Sequence, residues 1–167
     1  PIIQTLRGLV ETGDEIIKIE GVLSGTLSYI FNSLDGSRTF SEVVREAHAL
    51  GLTEPDPRED LSGVDVARKL IILAREMGLE VEMDSVQVES MVAEDQTIAA
   101  LLRSARDRGE VVRYVGVIDS NGEMSARMRS YPINHPFASL TGSDNIVSFQ
   151  TARYNSQPMI VRGPGAG

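Results

Sequence analysis

The chain has 167 residues, 41% of them hydrophobic, with a net charge of −8 and no cysteine. That length suits one packed core and one domain; the acidic balance speaks against nucleic acid and anionic membrane surfaces as partners. No apolar run reaches the length of a membrane span and no signal peptide is visible, while the lack of cysteine removes disulfides, thiolate nucleophiles and cysteine–zinc sites.

Pro1 suits the first position of a helix, and Ile2, Ile3, Leu6, Leu9 and Val10 follow at helical spacing, with Gly13 as the stop. Asp14–Val22 alternates in its second half and reads as a strand. Ser24 is placed to cap a helix from Gly25 through TLSYIFNSL. The small residues Gly25 and Thr26 leave backbone N–H groups approachable there, a seat for a carboxylate; an ordinary strand–helix corner is the plainer reading. Thr39 to Glu42 forms a capping box for a helix ending at Gly51. His48 lies on that helix with no partner identifiable from sequence.

The most informative stretch is Leu52–Lys69, LTEPDPREDLSGVDVARK. Pro55 and Pro57 stiffen a short loop rich in carboxylates. Ser62 reads as the N-cap of a helix, with Asp65 three residues on as a capping-box variant, and Gly78 as its end. Asp65 and Lys69 stand four apart, acid first, and so share a helix face. Such a pair is most often a surface ion pair. Here Val64, Ala67, Ile71 and Ala74 make one apolar stripe, and Val66, Leu70, Leu73 and Met77 a second. The polar sector of Asp65, Arg68, Lys69 and Glu76 is interrupted by Ile72, which points to a lined cleft. A lysine among carboxylates in such a cleft can exchange protons with a ligand.

Residues 79–96 are mixed, with a short strand near Ser85–Glu89; Thr97–Arg108 is helical and ends at Gly109. Val111–Asp119 and Glu123–Ser130 are strands around a Ser-Asn-Gly hairpin turn. Asn145–Tyr154 and Met159–Arg162 supply further strands, and His135 lies in a turn with no assigned chemistry. The pattern predicts an α+β fold: a mostly antiparallel or mixed sheet of about five strands with helices packed on one face. The chain starts inside an amphipathic pattern and ends on the glycine-rich turn GPGAG, so residues 1–167 are expected to form a single domain excised from a longer protein.

GLTEPDPREDLSGVDVARK resembles the signature of homoserine dehydrogenase, and LSGTLSYIFN resembles that family's second hallmark. RYVGVID and the closing RGPGAG are similar to the branch found in bifunctional aspartokinase–homoserine dehydrogenases. Nearly the whole chain is covered. The resemblance implies the catalytic, substrate-binding and dimerisation domain of an oxidoreductase of threonine and methionine biosynthesis. Such an enzyme interconverts L-homoserine and L-aspartate 4-semialdehyde with NADP or NAD, in the cytoplasm or, in a plant, the plastid.

By the same resemblance, Lys69 moves a proton to and from the substrate oxygen and Asp65 orients it. Glu54 and Asp60 hold the substrate ammonium, and Gly25 and Thr26 lie near the substrate. Leu52 stands where many relatives have tyrosine. The chain contains no G-x-G-x-x-G strand–turn–helix unit. In the family a dinucleotide-binding domain precedes this region, is completed by the segment after it, and brings a second active-site lysine. The resemblance likewise implies that the sodium site of relatives lies just upstream of the position of Pro1. No cofactor or metal is therefore expected on this chain, which should be inactive alone, and a homodimer is expected through the sheet. Two alternatives remain: a homodimerisation module without catalysis, and a carboxylate metal site. DPREDLSGVD lacks EF-hand spacing, which disfavours the second.

Overall fold

A computed structural model describes residues 1–92 and 95–165. Pro1 is the N-cap of α1 (Ile2–Glu11) rather than its first residue, and β1 (Ile16–Val22) comes next. The predicted caps hold in the following two helices. Ser24 accepts from the Leu27 N–H at 3.2 Å to open α2 (Gly25–Ser33). Thr39 and Glu42 form a reciprocal capping box at the start of α3 (Phe40–Ala49).

The stretch that reads as a stiff loop in the sequence contains a short helix, α4 (Pro57–Leu61). Its signal is local: Asp56 caps it and Pro57 sits at its first turn, where a missing N–H leaves no helix bond unmade. Ser62 closes α4 and does not cap the next helix; α5 (Val64–Glu76) starts from Gly63 with no side-chain cap. The short strand β2 (Val86–Val88), α6 (Asp95–Asp107), the hairpin β3 (Glu110–Asp119) and β4 (Met124–Pro132), β5 (Asp144–Thr151) and β6 (Met159–Pro164) complete the chain. Gly163 and Pro164 of the glycine-rich terminus are thus strand, not turn; Ala166 and Gly167 lie outside the described residues.

The sheet has six strands in the order β2-β4-β3-β1-β5-β6. All its pairings are antiparallel except β2 with β4. Side-chain alternation along β3 separates the two faces. Val112, Tyr114 and Ile118 join the main core under the helices, with Leu27, Ile30, Phe40 and Leu70. Val115 and Val117 face the other way and form a smaller cluster with Val22, Phe137, Leu140 and Ile146.

That second face is therefore covered across its middle by the segment joining β4 to β5. Arg113, buried on this face, is the clamp. Its guanidinium donates to the Phe137 carbonyl at 3.1 Å and the Ala138 carbonyl at 3.3 Å, and burial lowers its pKa to about 10. His135, which accepts from the Phe137 N–H through Nδ1 at 3.1 Å, packs against Tyr131 and Phe137 in the same segment.

Arg113→Ala should loosen this strap first. Charged hydrogen bonds of this kind contribute about 1.5–3 kcal/mol. The variant is expected to lose stability in that range by urea denaturation, with faster amide exchange at Phe137–Leu140 and unchanged exchange in α5.

Candidate active site

β1 ends in the interior of the sheet, and the chain turns at once into α2. Thr26, in the first turn of α2, donates its hydroxyl to the Leu52 carbonyl at 2.6 Å. That bond fixes the carboxylate-rich loop to the end of β1. Gly25 sits against Ser143, whose carbonyl would lie 3.3 Å from an added Cβ. The loop is then closed on itself: the Glu54 N–H donates to Asp60 Oδ2 at 2.9 Å. His48 Nδ1 meets Thr53 Oγ1 at 2.9 Å, so this histidine ties the end of α3 to the same loop.

The carboxylates of the loop divide by what they hold. Asp56 is occupied: it caps α4 and lies in the fork of the Arg58 guanidinium, which keeps its pKa below the usual carboxylate range. Asp60 gives one oxygen to the Glu54 amide. The Glu54 side chain is exposed. Glu76, expected in a cleft-facing sector of α5, is instead held by both nitrogens of an Arg7 fork from α1, at 2.6 and 2.8 Å.

α5 carries the lysine. Lys69 Nζ lies 2.7 Å from Asp65 Oδ2 and donates to the Leu23 carbonyl at 2.9 Å. An i,i+4 ion pair contributes only about 0.3–0.5 kcal/mol, so stability does not account for this arrangement. Geometry does more. An ammonium has three N–H donors, and with Asp65 and Leu23 taking two, one stays available to a ligand. The Leu23 acceptor has no signature in the sequence, because every residue carries a backbone carbonyl.

The start of α5 is set by a close approach. Gly63 has φ +74°, and a Cβ there would fall 2.0 Å from the Tyr114 hydroxyl oxygen. That hydroxyl is buried and has two carbonyls within hydrogen-bond reach, Glu89 at 2.7 Å and Ala126 at 2.9 Å; burial raises its pKa.

Beside Lys69 a groove of about 570 Å³ opens between the N-terminus of α1, α5 and the β5–β6 edge. Its walls include Ile2, Leu23, Ile72, Leu73, Val147 and Val161, so the exposed Ile72 is a groove residue, as the interrupted polar sector of α5 predicts. Lys69 is the one sequence-predicted site residue on that lining; Glu54, Asp60, Asp65, Gly25 and Thr26 lie off it. Among the described residues no group of three or more His, Asp or Glu comes together as a metal would need, and no helix is long and apolar enough to cross a membrane.

A model of the homoserine dehydrogenase family matches residues 1–167. The chain belongs to the homoserine dehydrogenase family. The bifunctional aspartokinase/homoserine dehydrogenase 1, chloroplastic, of Zea mays is 54% identical over 186 residues, covering 100% of this chain and 20% of the maize protein. The homoserine dehydrogenase of Schizosaccharomyces pombe is 45% identical, covering 100% of this chain and 51% of its own length. A solved structure of a Candida auris protein of unknown function has a TM-score of 0.94 at 44% identity, covering 100% of this chain and 53% of the other. The chain thus spans about a fifth of the maize relative and about half of the fission yeast one.

Within this homoserine dehydrogenase family chain, Gly63→Ala is expected to be costly. The left-handed backbone alone costs a non-glycine residue about 1–2 kcal/mol, and the methyl must also displace Tyr114. Stability by urea denaturation should fall by at least that amount, and by less when Tyr114→Leu is added to make room.

Proposed function

We propose that this chain is the substrate-binding and catalytic part of an oxidoreductase interconverting L-homoserine and L-aspartate 4-semialdehyde. The single observation that carries the reading is the Lys69 ammonium. It is anchored by Asp65 and by the Leu23 carbonyl at the rim of an apolar groove, with one N–H left over. Family membership supplies the reaction class.

When the semialdehyde is reduced, negative charge develops on its carbonyl oxygen. A fixed ammonium at that oxygen stabilises the charge and delivers the proton; in the reverse direction the same nitrogen takes the proton from the hydroxyl. Asp65 holds the ammonium in place and balances its charge. Glu54 and Asp60 are the partners for the substrate's own ammonium. Among the described residues, the second oxygen of Asp60 and both oxygens of Glu54 accept no hydrogen bond from the groups around them, and carboxylates bind an ammonium through charge-assisted bonds. Gly25 and Thr26 shape the floor beside them.

The family's NAD(P) does not fit the residues present. A dinucleotide needs a glycine-rich strand-to-helix turn to cradle its phosphates, and the turn from β1 into α2 reads Leu23-Ser24-Gly25-Thr26, with Ser24 engaged as a helix cap. The cofactor site is therefore assigned to the rest of a longer protein, and this chain alone is expected not to turn over. Two copies are proposed to pair through the sheet face opposite the helices. Ile160, 40% exposed, lies on that face, and Ile133, 73% exposed, stands in the segment that crosses it.

Two measurements test this. Calorimetry of the chain with L-homoserine should give saturable binding that Glu54→Ala removes. In the longer protein, Lys69→Ala should lower kcat by about 10²–10⁴-fold, the usual contribution of a positioned acid–base group, with little change in KM. Unchanged kcat in Lys69→Ala would refute the role of the lysine. A dimer that neither binds homoserine alone nor loses activity in Lys69→Ala would leave only the dimerisation role.

A further inference from the structure

Gly21 on β1 and Gly116 on β3 are register partners, lying side by side on the face of the sheet that meets α5. Neither has the open surroundings of a turn glycine. A Cβ on Gly116 would lie 2.8, 3.1 and 3.2 Å from Cδ2, Cγ and Cδ1 of Leu70. A Cβ on Gly21 would lie 2.7 Å from the Ile146 carbonyl oxygen and 3.3 Å from Leu23 Cδ2. Gly116 makes a notch in that face, and Leu70, fully buried, is the knob seated in it, while Gly21 beside it gives room to the Ile146 carbonyl and the Val147 side chain.

We infer that this notch is the positioning device of the candidate active site: Gly116 sets the depth at which α5 lies on the sheet, and so brings Lys69 within reach of the Leu23 carbonyl. Both ends of that hydrogen bond are next to the notch. Lys69 precedes Leu70 in the helix, and Leu23 stands two residues after Gly21, just past the end of β1 and in the same core. Leu70 is seven residues beyond Gly63, about two helical turns, so β3 meets α5 at two points, with Tyr114 under its start and Gly116 under Leu70.

The distances decide what a methyl would do. Carbon–carbon contacts settle at about 3.5–4.0 Å, so a Cβ at 2.8 Å calls for a displacement of roughly 1 Å, shared between the fully buried Leu70 side chain and α5. The Lys69–Leu23 bond, 2.9 Å long, would then stretch past the ~3.2 Å limit of a normal N–H···O bond. Displacements of about 1 Å at a reacting group can cost on the order of 100-fold in rate. This inference rests on the proposed role of Lys69, but its first readout does not.

The chain has two lysines, Lys18 and Lys69, so labelling with [ε-13C]lysine gives two side-chain resonances, assigned with Lys18→Arg. Lys18 lies at the other end of β1, paired with Glu20 on the opposite face, and serves as the internal control. Gly116→Ala should move the Lys69 resonance and leave that of Lys18. Adding Leu70→Ala, which makes room for the new methyl, should bring it back. Leu70→Ala alone, which empties the notch from the helix side, should also move Lys69 and covers the case in which Gly116→Ala does not fold.

In the longer protein, kcat should track the resonance. It should fall by about 100-fold in Gly116→Ala with KM little changed, and recover in the double variant. A Lys69 resonance that stays put in both single variants would overturn the inference, as would a folded Gly116→Ala with wild-type kcat in an active enzyme. If the unmutated longer protein does not oxidise homoserine while the Lys69 resonance moves as described, the notch stands and the functional reading fails.

Discussion

The arrangement depends on how closely one helix can lie on a sheet. A lysine has a four-carbon stem, and for its nitrogen to meet a carbonyl at the end of an interior strand, the helix backbone must sit low. Here β3 allows this by presenting a large residue and then none: Tyr114 under the left-handed Gly63, and Gly116 under Leu70. Every other feature of the candidate site is attached to that placement, since Asp65 rides on the same helix and the carboxylate loop is joined to the strand end that Lys69 touches.

The resulting site is built on backbone carbonyls as much as on side chains. Lys69 is tied to Leu23, Thr26 to Leu52, and the Glu54 amide to Asp60. The first two bonds join the turn from β1 into α2 to the loop and α5, some 26 to 46 residues further along the chain, and the third closes the loop on itself. Backbone groups move little relative to the sheet, so charged groups anchored to them are preorganised, which is the condition for electrostatic stabilisation to help a reaction. Two other carboxylates serve the scaffold. Arg58 holds Asp56 and Arg7 holds Glu76, whereas Glu54, the exposed Glu59 and one oxygen of Asp60 have no side-chain partner among the described residues.

Where the determinants are local, the fold is legible in the chain. Ser24 and the Thr39–Glu42 box announce their helices because a cap acts within one turn, and the Asn121-Gly122 turn announces the β3–β4 hairpin. Asp65 and Lys69 pair from spacing alone. The start of α5 departs from its sequence pattern for a related reason: Ser62 has a capping side chain, but the chain reaches it already helical from α4, which Asp56 and Pro57 begin. Ser62 therefore ends one helix instead of opening the next. Tyr114 under Gly63, Leu70 in the glycine notch and Arg7 across Glu76 join residues distant in the chain. No local pattern encodes such contacts.

Lys69 stands on a boundary, and that position bears on chemistry. On one side is the acidic loop, whose exposed carboxylates suit a charged amino-acid head. On the other is a groove with aliphatic walls, Ile2, Ile72, Val147 and Val161 among them. A reaction that moves a proton and builds charge on one oxygen gains from such a division. Charges close to water can orient a charged ligand, while apolar walls lower the local dielectric, so that a single fixed ammonium beside them acts more strongly than it would in water. The exposed Ile72, an interruption of a polar helix face when read from sequence, is the residue that makes the transition from one environment to the other.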